Sequence, residues 1–397
     1  MAPNEHDPND EVRHGAEERG AEDDATEDRG DGFVVHATAP LNGGPTPQAQ
    51  RASFVTPNHL FFVRTHGEVP RIDPADYVLR IDGLVERPLS LTLTDLARFE
   101  RTSVLSTLVC AGQRRSELLE VAPVPGELPW NAEAVSTARW EGWRLCDVLA
   151  AAGLREGAGH VASEGHNRVE HDGERFRFGT SIPLAKAMAP EVLLADTMNG
   201  APLPREHGAP LRLVVPGYIG ARQVKWLRRI EVRAAPSDNY FQAKAYRLYP
   251  SGQGDEPDPA SGFALGEASV NCLICEPADG SRVDADRVTV RGYAYGGGGR
   301  SIVRVEVSVD GGQRWTLARF DDVAVDGTPH VAGDPFAGRF AWRFFSADVT
   351  CPPGDRFEVV ARAWDEAANT QPASTREVWN VKGYMNNAWS RVRLTRR

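Results

Sequence analysis

The sequence predicts an α+β domain followed by an all-β sandwich. Two observations carry this. Between residues 54 and 258, short apolar strands and short helices mix irregularly, with no βαβ repeat. Beyond a stretch rich in Pro, Gly and acids at residues 249–263 (YPSGQGDEPDPASGF), strands recur between Gly-containing turns at the spacing of a β-sandwich. A third observation concerns what precedes both. Residues 1–31 hold 12 Asp/Glu and 3 Arg, which accounts for −9 of the chain's net −10. Having almost no large apolar residue, this stretch cannot offset its ordering entropy by burial. Residues 1–53 are therefore expected to be an acidic disordered tail and an extended Pro/Gly/Ala-rich linker. Residues 54–258 then form the first domain and 259–397 the second.

Within the first domain, YVLRIDGLV at 77–85 reads as a strand and a short helix starts near Thr94 and Asp95. SVLSTLVC at 103–110 is an apolar strand that ends on Cys110. WEGWRLCDVLAAAG at 140–153 has helical spacing and a Gly stop, and PLAKAMA at 183–189 is a second short helix. LRLVVPG and residues 229–232 are strands. In the second domain, RVTVRGYAY, IVRVEVSV, FAWRFFSADV and RFEVVARAW continue the alternation. The Gly296–Gly299 run lacks GxxxxGK[ST] and a following helix, so it is expected to be a hairpin turn rather than a phosphate loop.

Composition narrows the function classes. Hydrophobic residues make up 41% and charged residues 25%, enough to bury a core, yet no apolar run is long enough to span a membrane. No export signal is read at the N-terminus, so the expectation is a cytoplasmic protein without a membrane partner. Outside the acidic tail the charge is nearly balanced, and no basic run or motif points to nucleic acid. Five cysteines are an odd number, which argues against a disulfide framework. Cys272 and Cys275 form a lone CxxC within a predicted strand, where positions i and i+3 face opposite sides and cannot clamp one zinc ion.

Cys110 is different. It ends a strand and is followed by AGQRRSE, so Arg114 and Arg115 are expected to place positive charge near a thiolate, a soft metal ligand or a nucleophile. Arg64 and His66 in FFVRTHGEVP, His207 and Arg212 in REHGAPLRLVVPG, and Arg222 and Lys225 in GYIGARQVKWL put further cations and histidines in glycine-rich turns. There, backbone N–H groups can approach an anion closely. Together they describe a site for a large phosphorylated cofactor beside a thiolate.

These runs, with MNGAPLPREHGAPLRLVVPGYIGARQVKWL and EVWNVKGYMNNAWSRVRL, closely resemble the sulfite oxidase family of molybdenum enzymes over residues 54–395. That family includes sulfite oxidases, sulfite dehydrogenases and the molybdenum domain of eukaryotic nitrate reductases. The resemblance implies a Mo-molybdopterin domain followed by an immunoglobulin-like domain that pairs subunits into a homodimer. It makes Cys110 the molybdenum ligand beside two dithiolene sulfurs. Phe62, Val63, Arg64, Thr65, His66, Asn167, His207, Arg212, Gln223, Val224 and Lys225 are implied cofactor contacts. Arg64, Arg115, Trp130, Tyr246 and Lys382 are implied to form the substrate pocket, with Tyr246 and Arg64 at the catalytic face.

Three positions depart from the family pattern. Gln113 replaces the usual Asn, Asn167 stands where a pterin-binding Asp is common, and Lys382 stands where sulfite oxidases have Arg and nitrate reductases usually have Met. The retained cation at Lys382 favours a small oxyanion such as sulfite, oxidised to sulfate by oxygen-atom transfer with electrons passed to an external acceptor, a cytochrome or oxygen. Reduction of nitrate or an S-oxide is the alternative.

Overall fold

The computed structural model describes residues 29–249, 257–324 and 327–396. Residues 1–28 of the expected tail and residues 250–256 of the expected linker at 249–263 lie outside them. The first domain packs two sheets against each other. One is antiparallel and pairs Arg101–Val109, Val135–Arg144 and Leu193–Met198, with Ala201–Pro202 and Arg212–Val214 added to the last of these. The other is mixed, in the order Leu89–Leu91, Leu79–Gly83, Leu227–Arg233, His160–His171, Glu174–Pro183, with one parallel pair between Leu79–Gly83 and Leu227–Arg233. Leu79, Ile81, Ile230 and Val232 of the mixed sheet meet Trp143, Leu194 and Leu213 of the other in one core. The helix Leu145–Ala152 fills this core with Val148 and Leu149 and stops at Gly153, whose φ of +71° suits glycine.

Three features of this part of the molecule differ from what the sequence predicts. The helix expected at 140–153 begins only at Leu145, because Trp140 and Trp143 sit in a strand, opposite Met198 and Leu194. Pairing on both edges of Val135–Arg144 overrides the helical spacing, and Gly142 permits it: a Cβ there would lie 2.0 Å from the Leu194 carbonyl oxygen. Second, the long hairpin His160–His171 to Glu174–Pro183 carried no mark in the sequence reading.

The third correction concerns residues 33–52, expected to be linker. They form a hairpin of Phe33–Thr38 and Leu41–Pro45, then a helix Pro47–Ala52 capped by Thr46. Every residue of Leu41–Pro45 is buried. The glycines that suggested a flexible linker instead allow close approach, since a Cβ on Gly44 would stand 2.2 Å from the Glu133 carbonyl oxygen. Gln50, fully buried, donates to the carbonyls of Ala132 at 2.7 Å and Val135 at 3.2 Å.

The second domain is strand-rich and made of two facing sheets. One orders Asn271–Glu276, Arg287–Tyr295, Arg343–Thr350 and Arg319–Phe320; the other orders Arg282–Val283, Ser390–Arg396, Arg356–Asp365, Ile302–Ser308 and Thr316–Leu317. Ile274, Val290, Phe345 and Ala347 from the first interleave with Val305, Val307, Val359 and Val392 from the second. Cys272 joins that core, whereas Cys275 faces a separate cluster with Phe54, Val109 and Trp342, so the two thiols do lie on opposite sides of their strand. The glycine run is not a hairpin turn. It carries the chain from Arg287–Tyr295 in one sheet to Ile302–Ser308 in the other. There Gly298 N–H donates to the Gly217 carbonyl of the first domain at 3.3 Å, and a Cβ on Gly297 would lie 2.0 Å from the Ala268 carbonyl oxygen.

The two domains share a buried apolar boundary, where Leu105, Val109 and Val135 meet Leu273, Tyr293 and Trp342. Among the described residues, no helix is long and apolar enough to cross a membrane.

Candidate active site

The strand Arg101–Val109 delivers Cys110 to the wall of a cavity that opens to solvent. Cys110 is 8% exposed, its own N–H is tied to the Ala134 carbonyl at 2.9 Å, and the Gly112 N–H points at its sulfur from 3.4 Å. The expected flank of two arginines divides. Arg114, in the left-handed region at φ +61°, turns its guanidinium away to Glu117, Asn271 and the Ala388 carbonyl. Arg115 stays. Its guanidinium lies against Gly112, where any Cβ would come within 2.6 Å of it, and it donates to the carbonyls of Leu128 at 2.8 Å and Gly383 at 3.2 Å.

One wall comes from the chain after the 3-10 turn Asn58–Leu60: Phe61, Phe62, Arg64, Thr65 and His66. Arg64 donates through Nη1 to the Thr65 carbonyl at 2.7 Å and through Nη2 to Nδ1 of His66 at 3.2 Å. His66 Nε2 and the Tyr246 hydroxyl are 2.6 Å apart. Burial, with Arg64, Lys225 and Arg115 nearby, holds the His66 pKa well below its ordinary value, so the ring is neutral. Guanidinium has no acceptor, so Nδ1 must be the acceptor and the single ring proton sits on Nε2. The Tyr246 oxygen therefore accepts from His66, which leaves its own O–H free to donate into the cavity. Burial also raises the Tyr246 pKa, so the hydroxyl keeps that proton. Tyr246 itself sits at φ +51°, fixed by Leu265 N–H bonding its carbonyl at 2.9 Å, and its ring stacks on Tyr384 at 5.4 Å.

The other end is cationic. Lys225 Nζ donates to Thr65 Oγ1 at 2.9 Å and the Glu206 carbonyl at 2.8 Å, while Arg212 donates to the carbonyls of His207 at 2.9 Å and Gln223 at 3.3 Å. Among the described residues, Arg212 and Lys225 form no ion pair with a carboxylate; that of Glu206 is taken by Arg29 at 2.9 Å. Burial lowers the Arg212 pKa to about 9, lowers that of Lys225 well below its usual value with help from Arg212, and pushes His207 down as well. Of the buried side-chain atoms that find no hydrogen-bond partner among the described residues, two belong to residues lining the cavity, Arg212 Nε and Asn167 Oδ1.

This arrangement fits a phosphorylated heterocyclic cofactor carrying a metal. Unneutralised buried cations and an orphaned guanidinium N–H suit a phosphate, and the Asn167 oxygen suits a ring N–H. Among the described residues, no three His, Cys, Asp or Glu side chains gather as a metal site. A metal at Cys110 must therefore take its other ligands from the cofactor, as dithiolene sulfurs provide.

The cavity thus gathers Phe62, Arg64, Thr65, His66, Cys110, Asn167, His207, Arg212, Gln223, Lys225 and Tyr246. Six other candidates lie elsewhere. Val63 is buried behind the wall and pairs its backbone with Gly43; the Val224 carbonyl accepts from Leu213 N–H. Trp130 is fully buried with its ring 4.7 Å from that of His36. Arg115 sits at the edge, paired with Glu127 at 3.4 Å and beneath Tyr384. Lys382 is half-buried beside Gly383, off the cavity wall. Arg222 points away into the Leu265 and Phe241 carbonyls and the Thr180 hydroxyl. The wall also includes Phe61, Leu108, Phe178, Gly220, Ala221 and Trp226, small or apolar residues that read as ordinary core in the sequence; Tyr384, stacked on Tyr246, likewise carried no sequence signal.

The profile of the oxidoreductase molybdopterin binding domain matches residues 66–241, and that of the Mo-co oxidoreductase dimerisation domain matches residues 263–397. Sulfite oxidase from Gallus gallus is 42% identical over 91% of this chain and 77% of its own length, and that from Arabidopsis thaliana is 38% identical over 91% and 93%. The chain belongs to the sulfite oxidase family. Mitochondrial sulfite oxidase from Homo sapiens is 43% identical over 91% of this chain, but the match spans only 65% of that protein. The crystal structure of a sulfane dehydrogenase from Paracoccus pantotrophus superposes with a TM-score of 0.72 at 26% identity, covering 90% of this chain and 85% of that one. As a member of the sulfite oxidase family, the chain takes a Mo-molybdopterin cofactor.

Proposed function

We propose that this protein oxidises sulfite to sulfate. The observation that carries the reading is the Arg64–His66–Tyr246 ladder, which ends in a free hydroxyl proton in the cavity that holds Cys110. When bound, Mo-molybdopterin supplies oxygen-atom transfer and a two-electron redox change. Sulfite and water then yield sulfate, two protons and two electrons, the electrons going one at a time to an external acceptor, a cytochrome or oxygen.

The chain's own groups do the rest. Cys110 would hold the metal, and Lys225, Arg212 and His207 the cofactor's phosphate, with Asn167 accepting from its ring. Arg64 attracts the oxyanion, with Arg115 adding positive charge behind it, and the Tyr246 O–H donates to the oxygen on which charge gathers. Lys382 extends this positive field from the second domain. That domain, read as immunoglobulin-like, would pair two subunits; its match to a dimerisation domain supports this. A nitrate reductase of Hordeum vulgare, 38% identical over 89% of this chain, supports nitrate reduction as the second reading.

Molybdenum analysis with a sulfite–ferricyanide assay, and nitrate reduction with a dye donor in parallel, tests the proposal. A molybdenum-loaded protein that reduces nitrate and leaves sulfite untouched would reverse it.

A further inference from the structure

We propose that Asn42, in the N-terminal hairpin, is a positioning residue that sets Arg64 at the substrate face. The inference rests on the oxyanion reading of that face. Asn42 lies outside the matched molybdopterin-binding profile, which starts at residue 66.

Asn42 is 3% exposed, and its amide is fully committed. Its Oδ1 accepts from Arg64 Nη1 at 3.1 Å and from Thr65 N–H at 2.9 Å. Its Nδ2 donates to the carbonyls of Pro40 at 3.0 Å and Thr65 at 3.2 Å. Flipping the amide would aim donors at donors and oxygen at carbonyls, so one orientation is fixed. An arginine side chain has much rotamer freedom to lose. Without Asn42, Nη1 keeps only the Thr65 carbonyl, and the fork is no longer clamped from two sides.

The same amide reaches further. Arg64 holds Nδ1 of His66 and thereby fixes which nitrogen donates to Tyr246. Thr65, bound to Asn42 through both backbone groups, presents its hydroxyl to Lys225. One buried amide from the N-terminal hairpin therefore ties the substrate side of the cavity to its cationic end.

The test is a double-mutant cycle on the molybdenum-loaded enzyme, with sulfate binding followed by calorimetry beside sulfite kinetics. In Asn42→Ala the sulfate Kd and sulfite KM should each rise about tenfold with kcat within about twofold. In an Arg64→Ala background the Asn42 change should add nothing further to the sulfate Kd, because it acts through Arg64. Asn42→Ser, which retains one small acceptor, decides the matter if the alanine variant folds poorly. Sulfate affinity within twofold of wild type in these soluble variants would overturn the proposal, leaving Asn42 as a staple of the hairpin that moves only the melting temperature. Full additivity with Arg64→Ala would overturn it too. Wild-type enzyme that binds sulfate but does not oxidise sulfite would sink the functional reading while leaving the Asn42 cycle readable.

Discussion

At the scale of single residues, the site depends on where two atoms are held, the Cys110 sulfur and the Tyr246 hydroxyl hydrogen. Cys110→Ser exchanges a soft donor for a harder oxygen. Oxidation should be nearly abolished while pterin is still retained in the protein, read as molybdenum and pterin content against turnover. Tyr246→Phe removes the free O–H but keeps the ring that stacks on Tyr384, so kcat should fall on the order of 10²-fold with little change in melting temperature. Lys382→Met should raise the sulfite KM roughly tenfold if its charge reaches the substrate, and the effect should shrink as salt is added. An unchanged KM with the same salt slope would place Lys382 outside the site and remove it from the positive field proposed for the substrate. Charged and sulfur residues were legible in the sequence because their chemistry is unusual in a core. Phe61, Phe178 and Trp226 were not, since an apolar side chain lining a cofactor cavity has the same pattern as one packed on a neighbour. The tautomer of His66 was also illegible, for it depends on three side chains brought together by the fold.

At the scale of elements, the N-terminal hairpin and helix behave as part of the body. Deleting residues 1–50 removes the buried strand Leu41–Pro45, the Gln50 bonds and the Asn42 amide, and should lower the melting temperature by roughly 10 °C as well as weaken turnover. A melting temperature within a degree or two of the full chain would contradict this. Sequence reasoning failed here because it judged residues 32–53 by composition. Pro and Gly mark flexible chain when unpartnered, but Gly43 and Gly44 lie against Val34 and Glu133 backbone that is far away in sequence or across the hairpin. The short strand SVLSTLVC and the helix stop at Gly153 were readable because their determinants are local. The glycine run at 296–299 was readable as a turn but not as a crossover between sheets, because its partners, Gly217 and Ala268, belong to other segments.

At the scale of the whole molecule, buried His207 and half-buried His66 and His166 have pKa values pushed down by desolvation, His166 to about 4 with Arg177 and Arg228 adding to it. Unfolded histidine titrates near 6.5, so between about pH 6.5 and 4 the unfolded chain binds more protons and unfolding becomes easier as pH falls. The melting temperature should hold above pH 7 and decline below 6.5, and His166→Phe should make that decline shallower. A final consequence concerns the loop that closes on the active-site strand from the second domain. Met385 N–H bonds the Ala111 carbonyl at 2.7 Å, the Asn386 amide bonds the Arg114 carbonyl at 2.9 Å, and the Gly383 carbonyl receives Arg115. Ala111, Arg114 and Arg115, just after Cys110, are thus each held by residues more than 250 positions later in the chain. A ribosome that has made only the first domain has therefore not yet made a working site. Synthesis must pass residue 386 before the segment after Cys110 can make all of these bonds, so the cysteine loop is among the last parts of the molecule to be locked.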